Sequence, residues 1–161
     1  LVGWDKTLEI FSLRETLQSG TSPERIQMSN PLEKVSTIAF SPNGEMFAAA
    51  SPDGVVRIWQ TGITPWQDRA IQIVHEDEVA SLSFSPNGQL LALGLLDGTM
   101  KLLNIENVRH PLSITTVRRH SAAITCVAFS PNGKTLATAS RDHTINLWDV
   151  KVLFPYSPST F

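Results

Sequence analysis

Ser41-Pro42-Asn43-Gly44, Ser85-Pro86-Asn87-Gly88 and Ser130-Pro131-Asn132-Gly133 are three copies of one tetrapeptide, set 44 and 45 residues apart. Each copy follows an apolar stretch that ends in Phe: Val35–Phe40, Val79–Phe84 and Ile124–Phe129. Nine residues beyond each Gly stands an Asp (Asp53, Asp97, Asp142), and six residues further comes Trp59, Leu103 or Trp148. The same tail occurs once more at the start, as Asp5-Lys6-Thr7-Leu8-Glu9-Ile10-Phe11. Three matches in register with downstream Asp and aromatic positions establish an internal repeat.

Each period reads as β structure. The stretch before Ser-Pro-Asn-Gly is a first strand, and Pro-Asn-Gly supplies a turn because Pro fixes φ and Asn-Gly accepts positive φ. Second strands follow at Met46–Ala50, Leu90–Gly94 and Thr135–Ala139, rich in small residues. Pro52-Asp53-Gly54, Leu96-Asp97-Gly98 and Arg141-Asp142-His143 are tight reversals, since Asp-Gly favours two-residue hairpins. Third strands are expected at Val55–Gln60, Thr99–Ile105 and Thr144–Val150, with weaker fourth strands near Ala70–Val74 and Ser113–Val117. The opening residues give a third-type strand at Thr7–Phe11 and a fourth at about Glu24–Met28. That makes thirteen strands, with Val152–Pro155 a possible fourteenth. Four antiparallel strands per ~44 residues is the period of an all-β propeller blade.

These residues resemble the WD40 family over most of the chain; Asp142-His143-Thr144-Ile145-Asn146-Leu147-Trp148-Asp149 is close to its signature ending in Trp-Asp. The uniform Ser-Pro-Asn-Gly copies are similar in style to bacterial, particularly cyanobacterial, members. The resemblance implies a hydrogen-bonded tetrad in each blade: a His before the first strand, a Ser or Thr in the second, the turn Asp, and the third-strand Trp. Only the last repeat matches throughout, with His120, Thr138, Asp142 and Trp148. The middle repeat keeps His75 and Asp97 but has Leu93 and Leu103 in the other places. The earlier one keeps Asp53 and Trp59, with Pro31 and Ala49 where His and Ser/Thr would stand. By the same resemblance, partners bind the rim formed by the entry to each first strand and the Asp turn. Those positions are Lys34, Ser36 and Pro52, then Glu78, Ala80 and Leu96, then Ala123, Thr125 and Arg141. Interface anchors are enriched in Trp, Tyr and Arg; Arg141 alone fits among these. Trp66, in a loop outside the repeat pattern, is a further candidate anchor, and Trp4 is undecided between that and packing.

Composition narrows the function classes. The 161 residues are 42% hydrophobic and 17% charged, with net charge −2 and a pI near 6.1. That balance gives no electrostatic case for nucleic acid or an anionic membrane. Arg118-Arg119-His120 is too short a basic cluster to alter it. No run approaches the ~18 apolar residues of a membrane span. The lone Cys126 has no partner for an intrachain disulfide and reads as a buried thiol, which permits a cytoplasmic location. Nucleophile elbows, His-Glu-x-x-His and paired Cys ligands are absent, and His75, His110, His120 and His143 lack metal-ligand spacing. Neither a metal nor a cofactor is expected, nor an enzyme. Ala39, Ser83 and Ala128 on the first strands give no polar ring for a ligand at the propeller axis.

The repeat region is expected over 1–150: the end of one blade at 1–30, blades at 31–74 and 75–119, a partial blade at 120–150, and a tail or linker at 151–161. Propellers need four to eight blades, so one chain makes an incomplete ring. Two copies would duplicate the third-type strand at the junction, and a portion of a longer protein is the better reading, in keeping with Leu1 as first residue. Open blade faces leave several hundred Å² of apolar surface, on the order of 10 kcal/mol of burial at ~25 cal/mol per Å². The function expected is a non-catalytic protein–protein interaction scaffold whose partners include remaining blades or a second copy. The alternative is a regulatory or recruiting segment of a multidomain signalling enzyme, kinase or NTPase, whose catalytic domain lies outside this chain.

Overall fold

The computed structural model describes residues 8–9, 25–26, 35–61, 71–75, 77–107 and 111–153. A two-residue pair, β1 (Leu8–Glu9) with β2 (Arg25–Ile26), precedes three antiparallel sheets. The first sheet is β3 (Thr37–Phe40), β4 (Met46–Ala50), β5 (Val55–Gln60) and β6 (Ile71–Val74), paired in that order. The second is β7 (Val79–Phe84), β8 (Leu90–Leu95), β9 (Thr99–Asn104) and β10 (Leu112–Arg118). The third has β11 (Ile124–Phe129), β12 (Thr135–Ser140) and β13 (Ile145–Asp149), followed by the short helix α1 (Val150–Leu153). These are propeller blades, each a meander whose consecutive strands pair.

Ser-Pro-Asn-Gly makes the first reversal because it satisfies itself. In the first copy the Ser41 hydroxyl donates to Asn43 Oδ1 (2.7 Å) and accepts from the Met46 amide (2.8 Å), while Gly44 N–H donates to the Ser41 carbonyl (2.9 Å). The other copies repeat this, with Ser85 to Asn87 at 2.6 Å and Ser130 to Asn132 at 2.7 Å. The turn thus needs no help from the rest of the fold to leave its polar groups paired.

Small residues in the second strands let the next blade approach. Ala48, Ala50, Val56 and Ile58 on the back of the first blade pack against Val79, Leu82, Phe84 and Leu91 of the second. Ala92, Met100 and Leu102 on the back of the second pack against Ile124, Val127 and Leu136 of the third. A Cβ at Gly94 would lie 2.5 Å from Ile124 Cγ2, so this position has no room for a side chain. Innermost strands are also tied across blades: Ser36 Oγ donates to the Val79 carbonyl (2.7 Å), and the Val127 amide donates to Ser81 Oγ (3.0 Å). Gly54 and Gly98 close the Asp turns at φ of 80° and 87°, with virtual Cβ atoms 2.4 and 2.5 Å from the carbonyl oxygens of His75 and His120. Glycine is required there both by the backbone conformation and by the next blade's entry loop. His143 takes the corresponding place in the third turn at φ 66°.

Two expectations are corrected. Val152 belongs to α1 and not to a fourteenth strand: Asp149 Oδ1 accepts the Lys151 amide (2.9 Å), capping a turn of helix that buries Val150 and seats Leu153 on the core. Cys126 is exposed, not buried. It pairs with Ala139 beyond a register shift in β11, at the position where Ser81 of the preceding blade meets its neighbour's inner strand. No described blade stands in front of it.

Candidate functional site

The third blade holds a continuous polar chain. Trp148 Nε1–H donates to Thr138 Oγ1 (3.0 Å), and that oxygen lies 2.8 Å from His120 Nε2. The Asp142 carboxylate can only accept, which places the imidazole proton on Nδ1 and leaves Nε2 to accept the Thr138 hydroxyl proton. Nδ1 then faces Asp142 Oδ2 at 2.9 Å. Elements position every member: Thr138 is on β12, Trp148 on β13, Asp142 in the turn between them, and His120 in the entry to β11. Thr138 is 0% exposed and His120 3%. Such a linked network strengthens each bond and is costly to break at one member. It also leaves Thr138 without a free, exposed hydroxyl for nucleophilic attack.

Asp142 does more than meet the imidazole. It accepts the Thr144 hydroxyl (2.6 Å), the Thr144 amide (2.9 Å) and the Ser121 amide (3.0 Å). The Thr144 hydroxyl first, and then these amides and His120, hold the carboxyl far below the usual carboxylate range against the opposing effect of burial. Thr144 and Asn146 were not singled out from the sequence. Thr144 Oγ1 lies 3.0 Å from His120 Nδ1, and the Asn146 amide nitrogen 3.1 Å from Nε2. The Asp-x-Thr spacing, a side chain bonding its own backbone two residues on, was the available signal.

The other blades are differently wired. In the middle blade Asp97 binds the Thr99 amide (2.8 Å) and hydroxyl (2.7 Å), and no bond between it and His75 is among those described. Leu93 stands where Thr138 does, and buried His75 Nε2 has no hydrogen-bond partner among the described residues, while Lys101 Nζ lies 3.5 Å from Nδ1. Burial, and then the Lys101 charge, lower the His75 pKa from 6.5 to about 4. In the first blade Asp53 accepts the Ser51 hydroxyl and the Val55 amide. Ser51 chiefly, with Val55 and the Arg57 charge, lowers its pKa against the opposing effect of burial. Trp59 stacks on Phe47, centroids 4.6 Å apart and planes 6° from parallel. Arg57, at the register place of Lys101 and Asn146, is 7% exposed, and its Nη1 has no partner among the described residues.

At the rim the structure brings the paired positions together. The Leu96 amide donates to the Glu78 carbonyl (3.0 Å) and the Arg141 amide to the Ala123 carbonyl (2.9 Å). Pro52, in the same place, has no N–H to give. Ala80 and Thr125 lie at the register shifts of β7 and β11, where a bulge re-aims the strand. Arg141, Thr125 and Pro52 are exposed; Glu78, Ala80, Leu96 and Ala123 are half-buried. Ser36 is exposed, and its hydroxyl is spent on the carbonyls of Ala50 in its own blade and Val79 in the next. Lys34, Trp66 and Trp4, like Pro31 and His110, lie outside the described residues.

Successive antiparallel meander sheets of up to four strands, the last with a His–Thr–Asp–Trp lock, define a repeat of propeller type. Family models agree: a "WD domain, G-beta repeat" model matches residues 26–60 and 112–149, and an "Anaphase-promoting complex subunit 4 WD40 domain" model matches 57–117. The chain belongs to the WD40-repeat family. Such repeats serve as protein-interaction scaffolds and are generally non-catalytic. Comparison with curated proteins finds no match. No helix among the described residues is long and apolar enough to cross a membrane.

Proposed function

We propose that the chain is a non-catalytic protein–protein interaction scaffold, a portion of a larger propeller, working in the cytoplasm without nucleic acid or membrane as partner. Its blades are the units 31–74, 75–119 and 120–150, with 1–30 the end of another blade and 151–161 a tail or linker. The observation that supports this most is the fate of one pair of third-strand positions. Val56 and Ile58, and likewise Met100 and Leu102, are 0% exposed because the next blade covers them. Ile145 and Leu147, in register with them, are 71% and 72% exposed. A soluble monomer rarely leaves such a face bare, so the last blade is built to be covered by protein.

The His120 lock has a supporting role in this proposal. It anchors the entry to β11 against the turn bearing Arg141, holding Ala123, Thr125 and Arg141 in a fixed relation. The test is site-specific photo-cross-linking in cell extract, with the cross-linker at Arg141 on the rim and at Asn132 at the other end of β12. Protein adducts at Arg141 and few at Asn132 are expected. Equal labelling at both sites, or adducts to nucleic acid, would contradict a rim that selects protein.

A further inference from the structure

Resting on the scaffold reading, we propose that the rim of the third blade receives an acidic segment of a partner protein, held by Arg118, Arg119 and Arg141. Arg118 ends β10, Arg119 begins the crossing from the second blade to the third, and Arg141 enters the turn between β12 and β13. The fold brings all three to one end of the blade, because the crossing is clasped from both sides. Against it packs the Asp97-Gly98 turn, where a Cβ at Gly98 would meet the carbonyl oxygens of His120 at 2.5 Å and Ala122 at 3.0 Å. On the third blade, the Ser121 amide donates to Asp142 (3.0 Å) and the Arg141 amide to the Ala123 carbonyl (2.9 Å). His120, between Arg119 and Ser121, is anchored by the lock. The arginines therefore stand on a backbone already fixed, which lowers the ordering cost of binding.

The repeat itself does not ask for these charges. At the end of β6, Val74 stands opposite Val55 and His75 follows at once. At the end of β10, Arg118 stands opposite Thr99, and Arg119 is an additional residue before His120. The place of Arg141 is filled by Pro52 and Leu96 in the earlier turns, and that of Ser121-Ala122-Ala123 by Glu76-Asp77-Glu78. The same crossing is thus built into the second blade without arginine. All three arginines are exposed, and among the described residues none of their guanidinium groups has a hydrogen bond or ion pair. Two carboxylates in the flanking turns oppose part of this charge, but their oxygens are already engaged. Asp142 accepts from His120, Ser121 and both donors of Thr144, and Asp97 accepts from both donors of Thr99. The three guanidinium forks are left to meet incoming carboxylates, which they match bidentately. Further along the rim, the entry to the second blade carries Asp77 and Glu78. A polyanion as long as a nucleic acid would run onto these acids and be repelled, whereas a short acidic peptide stays within the cluster.

The test uses the full chain and a fluorescent peptide, Gly-Asp-Glu-Glu-Asp-Gly, read by anisotropy at low salt. Saturable binding is expected, lost with the peptide in which Asn and Gln replace the acids. The double variant Arg119→Glu/Arg141→Glu is expected to weaken it about tenfold. Lys134→Glu/Lys151→Glu makes the same change of net charge at the opposite end of the blade and should leave the affinity within about twofold. Every substituted side chain is exposed, so neither pair threatens folding. No saturable binding, equal loss with both double variants, or tighter binding of an oligothymidylate than of the peptide would each overturn the proposal. Rim cross-linking to protein while the peptide fails would retain the scaffold and remove this site. Peptide binding that depends on Arg119 and Arg141, without protein adducts at the rim, would retain the site and remove the scaffold.

Discussion

Thr138→Val removes one oxygen and almost no volume, which makes it a direct probe of the third-blade lock. The hydroxyl accepts from Trp148 Nε1 at 3.0 Å and donates to His120 Nε2 at 2.8 Å, at a site 0% exposed. Its loss orphans the half-buried indole donor and leaves buried His120 Nε2 with the Asn146 amide (3.1 Å) as its remaining partner. A buried orphan costs about 1–3 kcal/mol, and the indole N–H recovers some hydration, so a net loss of about 2 kcal/mol is expected. With a urea m-value of about 2 kcal/mol per M the unfolding midpoint falls by about 1 M with unchanged slope. Circular dichroism follows the blades, and the double variant with Trp148→Phe separates the two bonds. In that cycle a coupling of about 1 kcal/mol between Thr138 and Trp148 is expected. A midpoint shift worth less than about 0.5 kcal/mol, with no coupling, would show that the chain of bonds does not stabilise the blade.

Stability should also fall as pH drops from 6.5 toward 4. The folded state holds the His75 pKa at about 4, so the unfolded chain binds more protons in that window and gains on the native state. The loss is about 2 kcal/mol at pH 5 and levels off near 3 kcal/mol below pH 4; His75→Asn, compared across the same pH series, should flatten the slope above pH 5. The lowered carboxylates of Asp53 and Asp142 act lower still, their contributions lost only as pH falls below about 4. Gly98→Ala should cost more than about 3 kcal/mol, since positive φ and a carbonyl 2.5 Å from the new Cβ both oppose it. Gly88→Ala, at similar φ with open space, should cost about 1 kcal/mol; equal thermal shifts for the two would refute the close approach of the blades.

Strands were legible in the sequence because their ends are written in local chemistry. Ser-Pro-Asn-Gly bonds within itself, Asp turns bond their own backbone, and neither depends on distant residues. The residues of the His120 lock were legible by resemblance, and their distances follow from the meander that carries them. Less legible were features set by what a side chain faces. Cys126 sits in an apolar run like any core residue, yet its exposure depends on whether another blade follows. Lys101 and Arg57 read as ordinary third-strand charges, and only the register places them where Asn146 meets His120. The helix after Asp149 was hidden because Val150-Lys151-Val152-Leu153 has β-branched composition, overridden by the cap and by burial of Val150.

The most direct test of the central claim is light scattering on the purified 161-residue chain, alone and as the Ile145→Lys/Leu147→Lys variant. The bare back of the last blade predicts association well beyond 17.7 kDa for the parent chain and a marked shift toward monomer for the variant. A parent chain that runs as a monodisperse, reversibly folding monomer would contradict a last blade built to be covered.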